Sequence, residues 1–234
     1  MPKDIPLDER IIFALDVSTT QEAKHWVETL EGHIRFFKVG FQLFLGGWFD
    51  IVEWIRNRDL KVFLDLKFFD VPETVKLAVR ALTDRGVTFA TVHGNNAILR
   101  AAVEAAEGVQ ILAVTVLTSL DEADLRHLGF KCSVSDLVLS RARRALEIGC
   151  SGVISSGLEA APLRKELGDN FLVVAPGIRP VVNVDDQKRT VDVSEAFENG
   201  ADYVVVGRPI RDASDPVAVT KSMQAQIQSA LSVS

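Results

Sequence analysis

The sequence predicts an α/β fold built as a single (β/α)8 barrel of the TIM type over residues 1–234, and three observations predict it. Short apolar runs alternate eight times with stretches of helical periodicity, within a length that one barrel routinely occupies. Asp16, Lys38, Asp65, Lys67, His93, Thr118 and Arg208 stand at or just after the ends of those runs, where barrel enzymes carry their active groups. The starts of the runs carry no comparable polar set. A doubly wound open sheet could share the alternation but would not need eight units.

Taken in order, Ile11 to Leu15 is an apolar run closed by Asp16, and Thr19 or Thr20 caps a helix reaching about Leu30. Ile34 to Val39 is the second strand, interrupted by Lys38 and closed by Gly40, and Phe41 to Arg58 has apolar residues at helical spacing. Val62 to Thr74, VFLDLKFFDVPET, carries Asp65, Lys67 and Asp70 at a strand end, and a helix runs from about Val71 to Arg85 with Pro72 in its first turn. Val87 to Val92 ends at His93, and Ala97 to Ala106 is an alanine-rich helix stopped by Gly108. The fifth strand, Ile111 to Val116, leads into a long connector, Leu117 to Cys132, of a length often used for lids. Helix Val134 to Ile148, strand Gly152 to Ser155, helix Glu159 to Leu167 and strand Phe171 to Ala175 follow. Pro176 to Pro180 breaks regular structure, Val181 to Thr190 is a polar connector, and Ser194 to Asn199 is a short helix. Tyr203 to Val206 is the eighth strand, followed by Gly207, Arg208, Pro209 and a last helix from Pro216 to Leu231.

Composition bounds the function. The formal net charge is -6, which gives no general attraction to nucleic acid or to acidic membranes, so an anionic ligand must be caught locally. Two cysteines are too few for a disulfide scaffold, and no apolar run approaches the ~20 residues of a membrane span. The expectation is a soluble, cytoplasmic protein with no nucleic-acid or membrane partner.

Side chains two apart on a strand share a face, so Asp65 and Lys67 point the same way, and Asp70 can return to them from the next turn. Two lysines, Lys38 and Lys67, and two aspartates, Asp65 and Asp70, cancel in charge if they meet in the barrel mouth. Each ion then has opposite neighbours that offset desolvation and keep Lys67 protonated, an acid rather than a Schiff-base nucleophile. The flanking lysines count against a tightly bound metal. Gly207 and Arg208 follow the last strand, where barrels commonly hold phosphate, and Gln187 and Arg179 could close over the same anion. His93 has no metal-site spacing to the other histidines and is assigned a supporting hydrogen bond. Trp26, Trp48 and Trp54 are assigned to packing on the outside of the barrel.

These residues resemble the orotidine 5'-phosphate decarboxylase family in its bacterial form, over essentially the whole chain. FALDV with Asp16, FKVG with Lys38, FLDLKFFDVPET with Asp65, Lys67, Asp70 and Thr74, AVTVLTS with Thr118, APGIRP with Pro176 and Arg179, DDQKR with Gln187 and VVVGRP with Gly207 and Arg208 occur in the family's order. The resemblance implies a cofactor-free, metal-free decarboxylation of orotidine 5'-phosphate to UMP, the closing step of pyrimidine synthesis. It makes Lys67, Asp65, Asp70 and Lys38 catalytic, with Lys67 both stabilising and protonating the C6 carbanion. It places Asp16 and Lys38 at the ribose, Thr118 or Ser119 at the pyrimidine, Pro176 in the substrate pocket, and Arg179, Gln187, Gly207 and Arg208 at the phosphate. It also implies a homodimer in which Asp70 and Thr74 complete the neighbouring subunit's site. Phe69 stands where the family usually has histidine, Glu73 where it has asparagine, and TVHGNN departs from the usual end of the fourth strand. The rival readings are a magnesium-dependent sugar-phosphate decarboxylase or epimerase of a related barrel family, and a non-catalytic nucleotide-binding homologue.

Overall fold

In the computed structural model, which describes residues 3–178 and 191–233, every predicted apolar run forms a strand parallel to the one before it. The chain begins with α1 (Leu7–Arg10), β1 (Ile11–Ala14), α2 (Thr20–Leu30), β2 (Phe36–Gly40), α3 (Phe41–Arg56), β3 (Lys61–Phe68) and α4 (Pro72–Arg80). It continues through β4 (Val87–Val92), α5 (Asn96–Ala105), β5 (Gln110–Val114), α6 (Glu122–His127), α7 (Val134–Ile148), β6 (Gly152–Ile154) and α8 (Gly157–Leu167). The last elements are β7 (Leu172–Ala175), α9 (Val193–Glu198), β8 (Tyr203–Val206), α10 (Arg208–Arg211) and α11 (Pro216–Val233). Each strand pairs with its successor and β8 pairs with β1, so the sheet closes as a (β/α)8 barrel.

Closure sorts the strand residues by parity. Ile12, Phe36, Phe63, Phe89, Leu112, Val174 and Tyr203 form a buried cluster drawn only from strands, which is the barrel interior. The rings of Phe36 and Phe89 lie 4.9 Å apart and that of Tyr203 lies 5.3 Å from Phe89, so aromatic rings fill the lower barrel. Residues of the other parity, such as Phe13, Phe37, Val62 and Leu64, face the helices in a second cluster with Val27, Ile51, Val75 and Ile227.

Short helices absent from the sequence reading account for most of the differences. α6 lies within the 117–132 connector, started by a reciprocal cap in which the Asp121 side chain accepts from the Asp124 backbone and Asp124 accepts in return. α8 starts two residues before the expected Glu159, because Ser156 and Glu159 form the same device. α4 stops at Arg80 rather than Arg85. Among the tryptophans, Trp26 and Trp54 pack against the core as expected. Trp48 does not: it is 63% exposed at a kink in α3, with its backbone in the left-handed region (φ 43°).

The strand starts, expected to carry no polar set comparable to that at the strand ends, hold an ion cluster. Asp202, just before β8, accepts from Arg164 Nη2 at 2.7 Å, Lys3 Nζ at 2.8 Å and the Val173 backbone N–H at 2.8 Å. Arg10, just before β1, donates to the Asp202 carbonyl at 3.3 Å and to the Lys3 carbonyl at 2.8 Å. This cluster ties the N-terminal segment, β1, β7, β8 and α8 together beneath the barrel. Deleting one partner of a buried pair leaves the other charge uncompensated, so Asp202→Ala should lower unfolding free energy by about 3–5 kcal/mol. Urea titration checks this, and a variant within about 1 kcal/mol of wild type would remove the cluster's structural role.

Candidate active site

Parity that puts Phe36 and Phe63 in the barrel floor puts Lys38, Asp65 and Lys67 above them, on the inner wall at the C-terminal ends of β2 and β3. There they line a cavity of about 510 Å³, together with Asp16, Thr118, Ser119, Pro176, Gly207 and Arg208. Lys38 Nζ donates to Asp16 Oδ1 at 2.9 Å and stands 3.7 Å from Asp65 Oδ2, while Lys67 Nζ donates to Asp65 Oδ1 at 2.9 Å. Asp16, Lys38, Asp65 and Lys67 therefore form a row of alternating charge. The glycine of FKVG leaves room for it: a Cβ at Gly40 would stand 3.2 Å from Lys38 Nζ.

Burial opposes charge on both central groups and is outweighed. The Lys38 ammonium is desolvated, yet Asp65 and then Asp16 hold its pKa above the ordinary lysine value. Burial would raise the Asp65 carboxyl, but Lys38 and then Lys67, with hydrogen bonds from Lys67 and Thr91, hold it below the usual carboxylate range. Side-chain exposure is 11% for Lys38 and 14% for Asp65 against 32% for Lys67, so of these three Lys67 is the charge most open to a ligand. The row can hold hydroxyl groups at Lys38 and Asp16 and present an ammonium beside a carboxylate at Lys67.

Some expectations are met differently. Asp70 does not join this row: it is exposed, accepts from the Val71 backbone N–H at 2.6 Å and, like exposed Thr74, does not line the cavity. The four-charge array reached by Asp70 from its own chain is thus replaced by one completed through Asp16. His93 lies outside the cavity with its ring 5.5 Å from that of Phe69, and its buried Nδ1 has no hydrogen-bond partner among the described residues. The supporting hydrogen bond assigned to His93 is not made by that atom. Burial, then Arg141 and Lys67, push its pKa down, which favours the neutral ring. Arg179 and Gln187 lie outside the described residues. Among those described, no group of three or more His, Cys, Asp or Glu could hold a metal ion.

The sequence reading missed Arg211 and Ser155, both of which line the cavity. Arg211 donates to the Asp16 carbonyl at 3.0 Å and stands one turn after Arg208, a spacing that a recognised α10 would have flagged. Ser155 is fully buried at the end of β6 with its hydroxyl donated to Glu159, a contact no strand pattern announces.

The family model described as orotidine 5'-phosphate decarboxylase / HUMPS family matches residues 9–223. The chain belongs to that family. It is 59% identical over 229 residues to an orotidine 5'-phosphate decarboxylase of Methylococcus capsulatus, covering 97% of this chain and 95% of that one. It is 47% identical over 234 residues to the protein of the same name from Xanthomonas euvesicatoria pv. vesicatoria, covering 98% and 96%. The crystal structure of the orotidine 5'-phosphate decarboxylase from Lactobacillus acidophilus superposes with a TM-score of 0.83 at 34% identity, over 94% of this chain and 99% of that one. Shared family and shared barrel make the charged row, and not the fold alone, the feature to interpret.

A carboxyl whose folded pKa is lowered adds stability that is present above its unfolded value, about 3.9, and lost as pH falls through the folded value. For Asp65 that window lies on the acid side of pH 4. The stability advantage of wild type over Asp65→Asn should therefore be full near neutrality and shrink below about pH 4. Urea unfolding midpoints measured against pH check it, and an advantage that grows on acidification would contradict the assigned pairing.

Proposed function

We propose that this chain converts orotidine 5'-phosphate to UMP and CO2 without a cofactor, as a step of pyrimidine synthesis. The observation that carries the proposal is the row Asp16–Lys38–Asp65–Lys67 on one wall of the cavity, with Gly207, Arg208 and Arg211 after the eighth strand. Its volume suits a nucleotide-sized ligand. The phosphate binds at Gly207 and Arg208, joined by Arg179 and Gln187 from the 179–190 segment; the ribose hydroxyls bind Lys38 and Asp16, and the base lies against Pro176 and either Thr118 or Ser119.

The substrate carboxylate then stands beside Asp65. The bond from C6 to the carboxylate carbon breaks, its electron pair stays on C6, and CO2 leaves. That pair lies in the plane of the pyrimidine ring, where the π system cannot delocalise it, so it is stabilised by the fixed Lys67 ammonium, which next delivers a proton to C6. Asp65 and Lys38 hold that ammonium in place. The Lys67 amine regains its proton from solvent when UMP departs.

The active assembly is a homodimer. Phe41, Leu45 and Trp48 follow β2, Phe69, Val71 and Leu77 follow β3, and all six are more than half exposed on segments rising from neighbouring strands. Asp70 and Thr74 lie among the latter, so packing these faces together carries Asp70 and Thr74 to the neighbour's cavity. The enzyme is a single barrel of the cytoplasm in this reading; both cysteines are free, and no helix among the described residues is long and apolar enough to cross a membrane.

Purified protein should form UMP from orotidine 5'-phosphate at a rate unaffected by EDTA, and Lys67→Ala should lose at least about 10³-fold in kcat. An inert wild type or strict magnesium dependence would overturn the reading. Lys67→Ala and Asp70→Ala, each inactive alone, should recover about a quarter of wild-type activity when refolded together, because about half of the dimers are mixed and each of those carries one intact site of its two. No recovery would refute the shared site.

A further inference from the structure

The junction of β3 and β4 is irregular. Leu64 pairs with Ala90 and the next registered pair is Phe68 with Val92, so Asp65, Leu66 and Lys67 together face one residue, Thr91. A bulge of this kind interrupts the ladder and leaves backbone groups without partners on the neighbouring strand. Two surplus residues preserve parity, which is why Asp65 and Lys67 both still point inward. The cost appears at Lys67, whose backbone sits in the left-handed region (φ 46°), uncommon for a residue with a long side chain.

We propose that Thr91 is a positioning residue of the site, whose single hydroxyl fixes both the strained backbone of Lys67 and the carboxylate of Asp65. The Thr91 hydroxyl accepts from the Lys67 backbone N–H at 2.9 Å and donates to Asp65 Oδ1 at 2.9 Å, the same oxygen that receives Lys67 Nζ at 2.9 Å. These three bonds close a ring through the backbone and the side chain of Lys67. One atom therefore replaces the missing ladder acceptor and orients the carboxylate that aims the ammonium. Thr91 is fully buried, so bulk water does not compete for its bonds, and it does not line the cavity, so it acts only through Lys67 and Asp65. Its β-branched side chain has restricted rotamers on a strand, which holds the hydroxyl in one direction. The Asp65 carboxylate loses a donor if this hydroxyl is removed, and its pKa then moves up toward the ordinary range.

This role rests on the decarboxylase reading of the site and is separable from it by experiment. Steady-state turnover of orotidine 5'-phosphate is compared for wild type, Thr91→Val and Thr91→Ser, with urea unfolding of each. Thr91→Val keeps the shape and removes the hydroxyl; it should lower kcat about 10- to 100-fold with KM within about 3-fold, since a displaced reacting group costs rate more than binding. The acid limb of its kcat profile should move to higher pH. Thr91→Ser should recover kcat to within about 3-fold of wild type. A Thr91→Val enzyme as fast as wild type, a loss confined to KM, or a serine variant as slow as the valine one would overturn the role. Should Thr91→Val fail to fold, Thr91→Ala against Thr91→Ser decides by the same criteria. A wild type inert toward orotidine 5'-phosphate overturns the reading of the site and this role with it, whereas an active wild type matched by Thr91→Val overturns this role alone.

Discussion

A carboxylate held out of water between two ammonium groups is the constraint on which the upper half of the barrel depends. Taking an ion out of water costs several kcal/mol, and Asp65 recovers that cost only with Lys38, Lys67 and the Thr91 hydroxyl in their places. Asp16 in turn serves Lys38. The partners come from the ends of β1, β2, β3 and β4, so one network of opposite charges fixes four consecutive strands at one rim. The other half of the mouth is built from Val114, Ile154, Ser155, Pro176 and the glycine and arginine after β8. The cavity is thus asymmetric: an ion row on one side, and an uncharged wall ending in arginines on the other.

Much of this was legible because a barrel strand has a simple code. Parity puts every second residue inside, and a charge two positions above Phe36 or Phe63 has nowhere to go but the cavity wall. Lys38, Asp65 and Lys67 could therefore be placed from VFLDLK and FKVG alone, and Asp16 and Arg208 from their distance past a strand. The same rule fails at the opposite rim. Arg10, Lys61 and Asp202 also flank apolar runs, and only the three-dimensional arrangement shows that Arg10 closes on Asp202 while Lys61 pairs with Glu9, beneath the barrel. A charge at a strand terminus signals pairing; whether the pairing leaves a ligand space is a property of the assembled barrel.

The features that escaped the sequence are those that depend on register or on short-range caps. Three residues of β3 opposite one of β4 leave no trace in the hydrophobic pattern, because two surplus residues keep the alternation intact. Thr91 in consequence reads as an ordinary β-branched strand residue. α6 and α10 have six and four residues, too short for periodicity to show. Trp48 was assigned to packing by residue type, yet the kink in α3 turns it outward beside Phe44, on a segment that also exposes Phe41 and Leu45. Burial cannot be read from residue type where the backbone leaves the helical path.

The placement of strain and rigidity fits the chemistry proposed for the cavity. Stabilising a localised carbanion by fixed charge works only if the charge is oriented before the reaction, since a mobile ammonium would spend part of its interaction energy on reorganising. A lysine on a flexible stem is a poor device for that unless its surroundings restrict it. Here the restriction comes from both ends of the residue. The Lys67 ammonium is bound to Asp65, itself held by Lys38, and the Lys67 backbone is held in an unfavourable conformation by a buried hydroxyl on the next strand. A left-handed backbone persists only where its surroundings over-determine it, and in this barrel they do so at the residue whose position matters most to the proposed proton delivery.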